Sequence, residues 1–448
     1  MTVTLTDRPP AAPTNVAPAR RDASFPDAQP GSGRHRLARR LAERFALLAF
    51  GLYHLPLFLN NYPSLGGGGS DHGLAISWGH VFTPPGVWVA RHLFHVAGPM
   101  LTAYNGDNGD IGEEFGRLVL ATVLAALGAM VWTTVDRRRP RGRWVSEALQ
   151  VLLRFSIALG LTSYAIAKIW REQFPPLFPA TLDQRLGDLS PMALLWSFME
   201  YSRPYSLFGG VMEVAVVFFL CFRRTATLGA LLCIAVMANV AMLNIAYDVP
   251  VKLYSTMIVL SAAVVVLYDL PRLWAVFVAN RAVAPAPRSP LHDRLRTPIR
   301  WTIKAVIVGS VTISSIITAR AASAVRPDTS SALDGGWVLT AFHRDGEAID
   351  QSVNATRWRR FFPSSYGVAI RLENDSLVYC GRDASPDANM IAFTCRGGRK
   401  GLLRWTRSGE MLQLDGTFDG APLFASAKLL KPTDYRLLRS KPRLIVDR

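Results

Sequence analysis

Four cysteines in 448 residues form no CxxC pair and no CxxCH run. That excludes a thioredoxin-like redox pair and a c-type haem attachment. A phosphate-cradling loop is missing too: "SLGGGGSDHG" is glycine-rich, but it follows an apolar stretch and lacks the lysine of a P-loop. Acidic residues are scarce, 33 against 50 Lys and Arg, for a net charge of +17. Such a balance can signal nucleic acid. Here the basic residues gather in "RHRLARRLAER", "DRRRPRGR", "FRRT" and "RSPLHDRLRTPIRWTIK", each at the end of an apolar stretch, with no aromatic-interleaved basic surface. Nucleic acid is therefore excluded as a partner, and the pattern is the positive-inside signature of a chain whose partner is the lipid bilayer. No apolar run closely follows the first arginines, so the amino terminus does not read as a cleaved signal peptide. His92 and His95 stand at i, i+3 with His80 nearby, but nothing fixes a ligand geometry, and no metal is expected. Only His54 falls inside an apolar span, too few for bis-histidine haem.

What the chain has in excess is apolar sequence: 50% of residues are hydrophobic and the mean hydropathy is +0.19. Runs long enough to cross roughly 30 Å of hydrocarbon account for it. We place spans at about 45–60, 118–135, 145–170, 205–222, 225–246, 253–270 and, more weakly, 301–319. Residues 1–33, with six prolines and little apolar content, read as a disordered tail. The segment 81–98 is half apolar, but Pro84 and Pro85 argue against a straight span, leaving it re-entrant or interfacial. With the amino terminus in the cytoplasm, seven spans put every arginine-rich connector inside. The loops starting at Asn61, Gln173 and Tyr247, and the segment after 320, then lie outside.

That last segment, 321–448, changes character. "GWVLTAFH", "GVAIRLE", "SLVYCG", "MIAFTCR", "GLLRWTR", "EMLQLDG" and "PLFASAKLL" alternate apolar and polar residues between Asp-Gly, Gly-Gly and Ser-Gly turns. Such a pattern predicts an antiparallel sheet, closed or nearly closed. Cys380 and Cys395 flank the turn "RDASPDAN" on neighbouring strands, which favours a cross-strand disulfide in an oxidising compartment over two core thiols.

Polar groups at membrane depth are costly and must face a partner or a cavity. At about 1.5 Å per residue, Glu213 is roughly 15 Å from Arg223, Arg154 is similarly deep from Arg143, and His54 from Arg44. An Arg154–Glu213 ion pair between the third and fourth spans is the expected solution. Glu147, Gln150, Arg154, Leu161 and Lys168 share one face of the third span, giving either a proton or ligand path or a buried pair that fixes helix register, with Arg154 snorkelling inward. In "ANVAMLNIAYDVPVKLYS", Asn239 is deep enough to need a neighbouring helix. Asn244 and Asp248 share a face, and Pro250 turns the chain so that Asp248 and Lys252 bracket an outward mouth. Together with Lys168 this mouth reads either as a ligand site or as an ion-paired loop closing the bundle.

The block from "LRFSIALGLTSYAIAKIWREQFP" through "FGGVMEVAVVFFLCFRRTATLGALLCIAVMANVAMLNIAYDVPVKLYS", about residues 145–275, resembles the DoxX/DoxD-like bacterial membrane proteins. The likeness rests on a small-residue helix ending in Lys168, a "GGxxE" helix ending in Arg223-Arg224, and the two helices that follow. It implies a four-helix membrane bundle, polar positions at Lys168, Glu213 and Arg223, and a role in sulfur or thiol oxidoreduction feeding the quinone pool.

The expected architecture is mainly α: a polytopic bundle over 34–320 with a DoxX-like core, in the bacterial inner membrane, carrying a periplasmic β domain. The leading function is a membrane component of a redox or quinone-linked system, with quinone or a periplasmic redox protein as partner and no covalent cofactor. An anchor that only presents the β domain to a partner is a second class. A small-molecule transporter is a third, and the lack of an inverted repeat counts against it.

Overall fold

The computed structural model describes residues 33–61, 74–96, 110, 112–136, 143–284, 297–325, 332–348, 356–365 and 367–439. Apart from Gly33, the expected amino-terminal tail lies outside the described residues, as does the side chain of His80.

The helices are α1 (Gly33–Asn61), α2 (Leu74–Leu93), α3 (Gly112–Val135), α4 (Arg143–Ile169), a short α5 (Pro179–Leu182), α6 (Pro191–Tyr201), α7 (Arg203–Cys221), α8 (Ala226–Ala246), α9 (Lys252–Leu267), α10 (Leu270–Phe277) and α11 (Thr297–Val325). Among the described residues, α3, α4, α7 and α8 are long and apolar enough to cross a membrane. The pair α9 and α10, bent by 72° at its break, counts as a fifth span if taken together. The chain is thus a helical membrane-type domain joined to a β domain.

Helix α4 is the hub. Val145, Leu149, Leu153, Ile157, Leu161 and Ala165 recur every fourth residue and are all buried, the stripe of a helix packed along its whole length. It packs against α7, α1, α9 and α11, while α8 joins α7 to α9. Small residues let these backbones close up: a Cβ on Gly229 of α8 would lie 2.9 Å from the Leu220 amide nitrogen.

Residues 81–93, with Pro84 and Pro85, belong to α2, which among the described residues is not one of the helices long and apolar enough to cross a membrane. Packing against α3 holds it. Thr83 donates to Glu113 at 2.6 Å, and a Cβ on Gly116 of α3 would sit 1.9 Å from the Gly86 carbonyl oxygen, so α2 and α3 meet backbone to backbone.

The described residues of the carboxy-terminal domain form nine strands: β1 (Gly336–Arg344), β2 (Glu347–Ala348), β3 (Trp358–Ser364), β4 (Gly367–Leu372), β5 (Leu377–Asp383), β6 (Met390–Cys395), β7 (Lys400–Ser408), β8 (Met411–Phe418) and β9 (Ala421–Leu430). From β3 to β9 each strand pairs with the next, and β1 pairs with both β3 and β9. The result is a closed, eight-stranded, antiparallel barrel with β2 as an appended hairpin arm. Asp345-Gly346 and Asp419-Gly420, all at positive φ, make two-residue turns whose twist matches the strands they join. Alternate residues fill the interior: Trp337, Phe361, Phe393, Leu403, Leu412 and Ala425 are each fully buried. Trp358 stacks on Phe361 at 5.7 Å and meets Phe418 edge-on at 5.0 Å. An eight-stranded barrel is just wide enough for side chains to fill, and this one is filled.

The barrel sits against the connector between α4 and α6. Asp183 accepts from Arg371 at 2.6 Å and pairs with Arg360 through its other oxygen. The Asp183 carbonyl accepts again from Arg371 at 2.6 Å. Arg185 pairs with Asp375, which also holds Arg359 at 2.6 Å.

Candidate functional site

At the end of the bundle that faces this connector, the space between α4, α7, α8 and α9 is not closed by side chains. A partly open cavity of about 530 Å³ lies there, within the size range of small-molecule sites. Leu161, Met237, Val240, Leu243 and Ile258 supply its apolar wall, and Leu195, Trp196 and Met199 of α6 roof it with Phe174. That roof is a small core of its own. Phe174 meets Trp196 edge-on at 6.4 Å, and α6 starts cleanly because Ser190 accepts from the Ala193 amide at 3.2 Å ahead of Pro191.

The cavity's buried ion pair comes from α4 and α7. Lys168 Nζ lies 2.7 Å from Glu213 Oε1, and both side chains are buried. Gly209 and Gly210 make the approach possible: a Cβ on Gly210 would be 3.1 Å from the Lys168 Cβ, so the lysine stem lies in a notch on α7 and its head drops toward Glu213. Arg203, at the start of α7, donates to the Lys168 carbonyl at 2.9 Å and to the Ile169 carbonyl, which caps the end of α4. Tyr164 and Tyr254 stack at 5.9 Å beside the pair. The Tyr254 hydroxyl is seated where Gly160 has no side chain; a Cβ there would be 2.0 Å away. Asn244 donates to Ser255 at 3.1 Å across α8 and α9.

The geometry corrects the expected Arg154–Glu213 pair. Arg154 donates instead to the Leu220 carbonyl, from Nε at 2.9 Å and Nη2 at 2.7 Å. It thereby caps the negative end of α7, at the bundle end opposite Lys168. Asn239, expected to bond a neighbouring helix, is exposed on the outer face of α8. His54 lies away from the cavity, buried and 2.9 Å from Ser261 Oγ on α9. Of the outward turn, Lys252 pairs with Asp248 at 2.7 Å, while the Asp248 side chain is 82% exposed and its φ of +53° is that of a tight turn. Glu147 and Gln150 are half-buried rather than aligned toward the cavity. His92 stacks on Trp88 at 4.5 Å, and His95 lies beyond the end of α2.

Several cavity residues carried no sequence signal. Asp110 is one: its carboxylate accepts from the Lys252 and Leu253 amides at 2.7 and 2.8 Å, which caps α9 where Val251 cannot. Gln173, Tyr164, Tyr254 and Trp196 are others, and only proximity in the fold identifies them.

In the barrel, Cys380 and Cys395 are directly opposite on β5 and β6 and are joined by a disulfide, as the strand pattern predicts. They border a second cavity of about 620 Å³ between the barrel wall and residues 178–181, together with Phe362, Val368 and Tyr379. Burial raises the Tyr379 phenol above its ordinary pKa, with Arg371 opposing the shift.

Among known proteins, the chain is similar to "Uncharacterized protein YwoB" of Bacillus subtilis (strain 168). The two are 26% identical over 133 residues, which is 30% of this chain and 84% of that protein. No family model matches the chain, and no solved structure matches it.

Proposed function

We propose that this chain is a DoxX-like, seven-span protein of the bacterial inner membrane that serves as the membrane component of a redox or quinone-linked system, taking a quinone-class head group in the cavity beside Lys168 and Glu213. The observation that carries this reading is the cavity itself. An anchor needs a bundle filled to its end, whereas this one leaves about 530 Å³ open around its buried ion pair. The residues present suit such a group: an apolar wall, two stacked tyrosines and a few convergent polar atoms. In this topology the amino terminus is cytoplasmic, the arginine-rich connectors face the cytoplasm, and the barrel is periplasmic. The disulfide supports that side for the barrel, since such bonds persist in oxidising compartments. A quinone would supply two-electron chemistry when bound; the chain's own groups would hold its ring and orient its oxygens. A periplasmic redox protein is then the fitting partner for the barrel.

The test is to purify the protein in mild detergent, extract bound lipids and quinones, and repeat this on Glu213→Gln. Quinone or quinol that copurifies with the wild type and is depleted in a folded variant supports the reading. A stable wild-type protein that carries no quinone and binds none counts against it.

The anchor remains the second reading, favoured by one observation: the barrel interior is filled, so anything it binds must dock on its outer surface, such as the cavity beside Cys380 and Cys395. Loss of a periplasmic partner on deleting the barrel, with no ligand ever found in the bundle, would move this reading ahead.

A further inference from the structure

Resting on the cavity being a quinone-class site, a further property follows from which polar atoms in its wall are left without a partner. Glu213 is buried to 1% exposure. Its Oε1 takes the Lys168 ammonium, and its Oε2, equally enclosed, has no hydrogen-bond partner. Gln173, also in the lining, likewise has a buried Oε1 with none. Among the described residues lining this cavity, these are the two buried side-chain atoms so left, and both are acceptors. Two of the wall's buried donors are engaged, Lys168 with Glu213 and Asn244 with Ser255.

A buried polar atom without a partner costs about as much as a lost hydrogen bond, and more when it belongs to a charged group. The occupant that removes this cost brings O–H or N–H groups. An occupant with only acceptor oxygens leaves both atoms unsatisfied and sets its own lone pairs against a carboxylate. We infer that the cavity selects the hydroxyl-bearing, reduced form of its ring ligand, a quinol or related phenol, over the oxidised quinone, through donation to Glu213 Oε2 and Gln173 Oε1. The apolar wall and the Tyr164–Tyr254 stack accept either oxidation state. The preference therefore resides in the two acceptors.

The experiment uses the full chain in mild detergent and, as probes, tetramethyl-1,4-benzoquinone and its quinol, with binding measured anaerobically by equilibrium dialysis. The expected result is that the quinol binds about tenfold or more tightly than the quinone, the scale of one hydrogen bond to a charged group. Glu213→Gln keeps the shape but replaces one acceptor oxygen with an amide NH₂, so it should erase that preference by weakening quinol binding. Gln173→Leu, which leaves the ion pair untouched, should lower quinol affinity with little effect on the quinone. Equal affinities in the wild type, or tighter binding of the quinone, overturn this inference while leaving the site reading intact. If neither form binds a folded wild-type protein, the reading of the cavity as a quinone-class site fails, and this inference falls with it.

Discussion

Lys168, in the last turn of α4, and Glu213, in the third turn of α7, are joined at 2.7 Å by a lysine stem that runs along a glycine notch rather than out to solvent. The pair is buried on both sides, so each charge depends on the other.

Removing one partner should therefore be costly. Lys168→Met leaves the Glu213 carboxylate unpaired and should destabilise the protein by about 3–5 kcal/mol, whereas the double replacement Lys168→Met with Glu213→Leu should recover most of that loss. Thermal unfolding in one detergent, run on both variants, checks it. A single variant as stable as the wild type would show that the ion pair does not hold α4 to α7.

Asp183 makes an analogous prediction for the barrel. Asp183→Ala takes the carboxylate from the buried guanidinium of Arg371, which keeps only carbonyl partners, and releases Arg360. Backbone amides of β3 and β4 should exchange hydrogen faster by at least tenfold in this variant, while those of β7 and β8, far from the contact in strand order, should be unchanged. Uniform exchange rates across the barrel would contradict the role given to this carboxylate.

The disulfide closes a loop of 15 residues, for which chain-entropy arguments give about 3 kcal/mol of stabilisation. Cys380→Ala with Cys395→Ala should lower barrel stability by about 2–4 kcal/mol and leave the bundle's cavity unaltered. Tryptophan emission during denaturant unfolding reports the first, and probe binding the second.

Asp334 gives the pH dependence. Burial pushes its carboxyl above the ordinary value of 3.8, against the pull of Arg382, and Oδ1 has no hydrogen-bond partner. A raised carboxyl pKa means that the folded state holds the proton more tightly than the unfolded chain does. Its stabilising contribution is thus present in acid and fades as pH rises from 3.8 through the raised value. Asp334→Asn should remove that fall, seen as a flatter profile of barrel melting temperature against pH in this window.

Much of this architecture is legible in the sequence because it is encoded locally. The spans of α3, α4, α7 and α8 are local hydropathy, and the facing of Cys380 and Cys395 follows from strand alternation around one short turn. The ion pair is a different case. Counting residues from the arginines places Cα atoms, and by that count Arg154 and Glu213 share a depth. Side chains as long as arginine and lysine move their charges by more than a helical turn, toward Leu220 in one case and Glu213 in the other. The cavity's remaining residues were hidden for another reason. Asp110 caps a helix that begins 142 residues later, a contact that no spacing rule along the chain can reach.

The connector between α4 and α6 contributes Gln173 and Phe174 to the cavity at one end and Asp183 to the barrel in its middle, and leads into the roof helix at the other end. One stretch of chain thus belongs to the apolar roof of the bundle and to the ion-paired edge of the barrel. Neither domain can come apart without dragging on an element that the other requires. The expected thermogram of the intact protein is accordingly a single endotherm rather than two, and cutting the chain within this connector should split it.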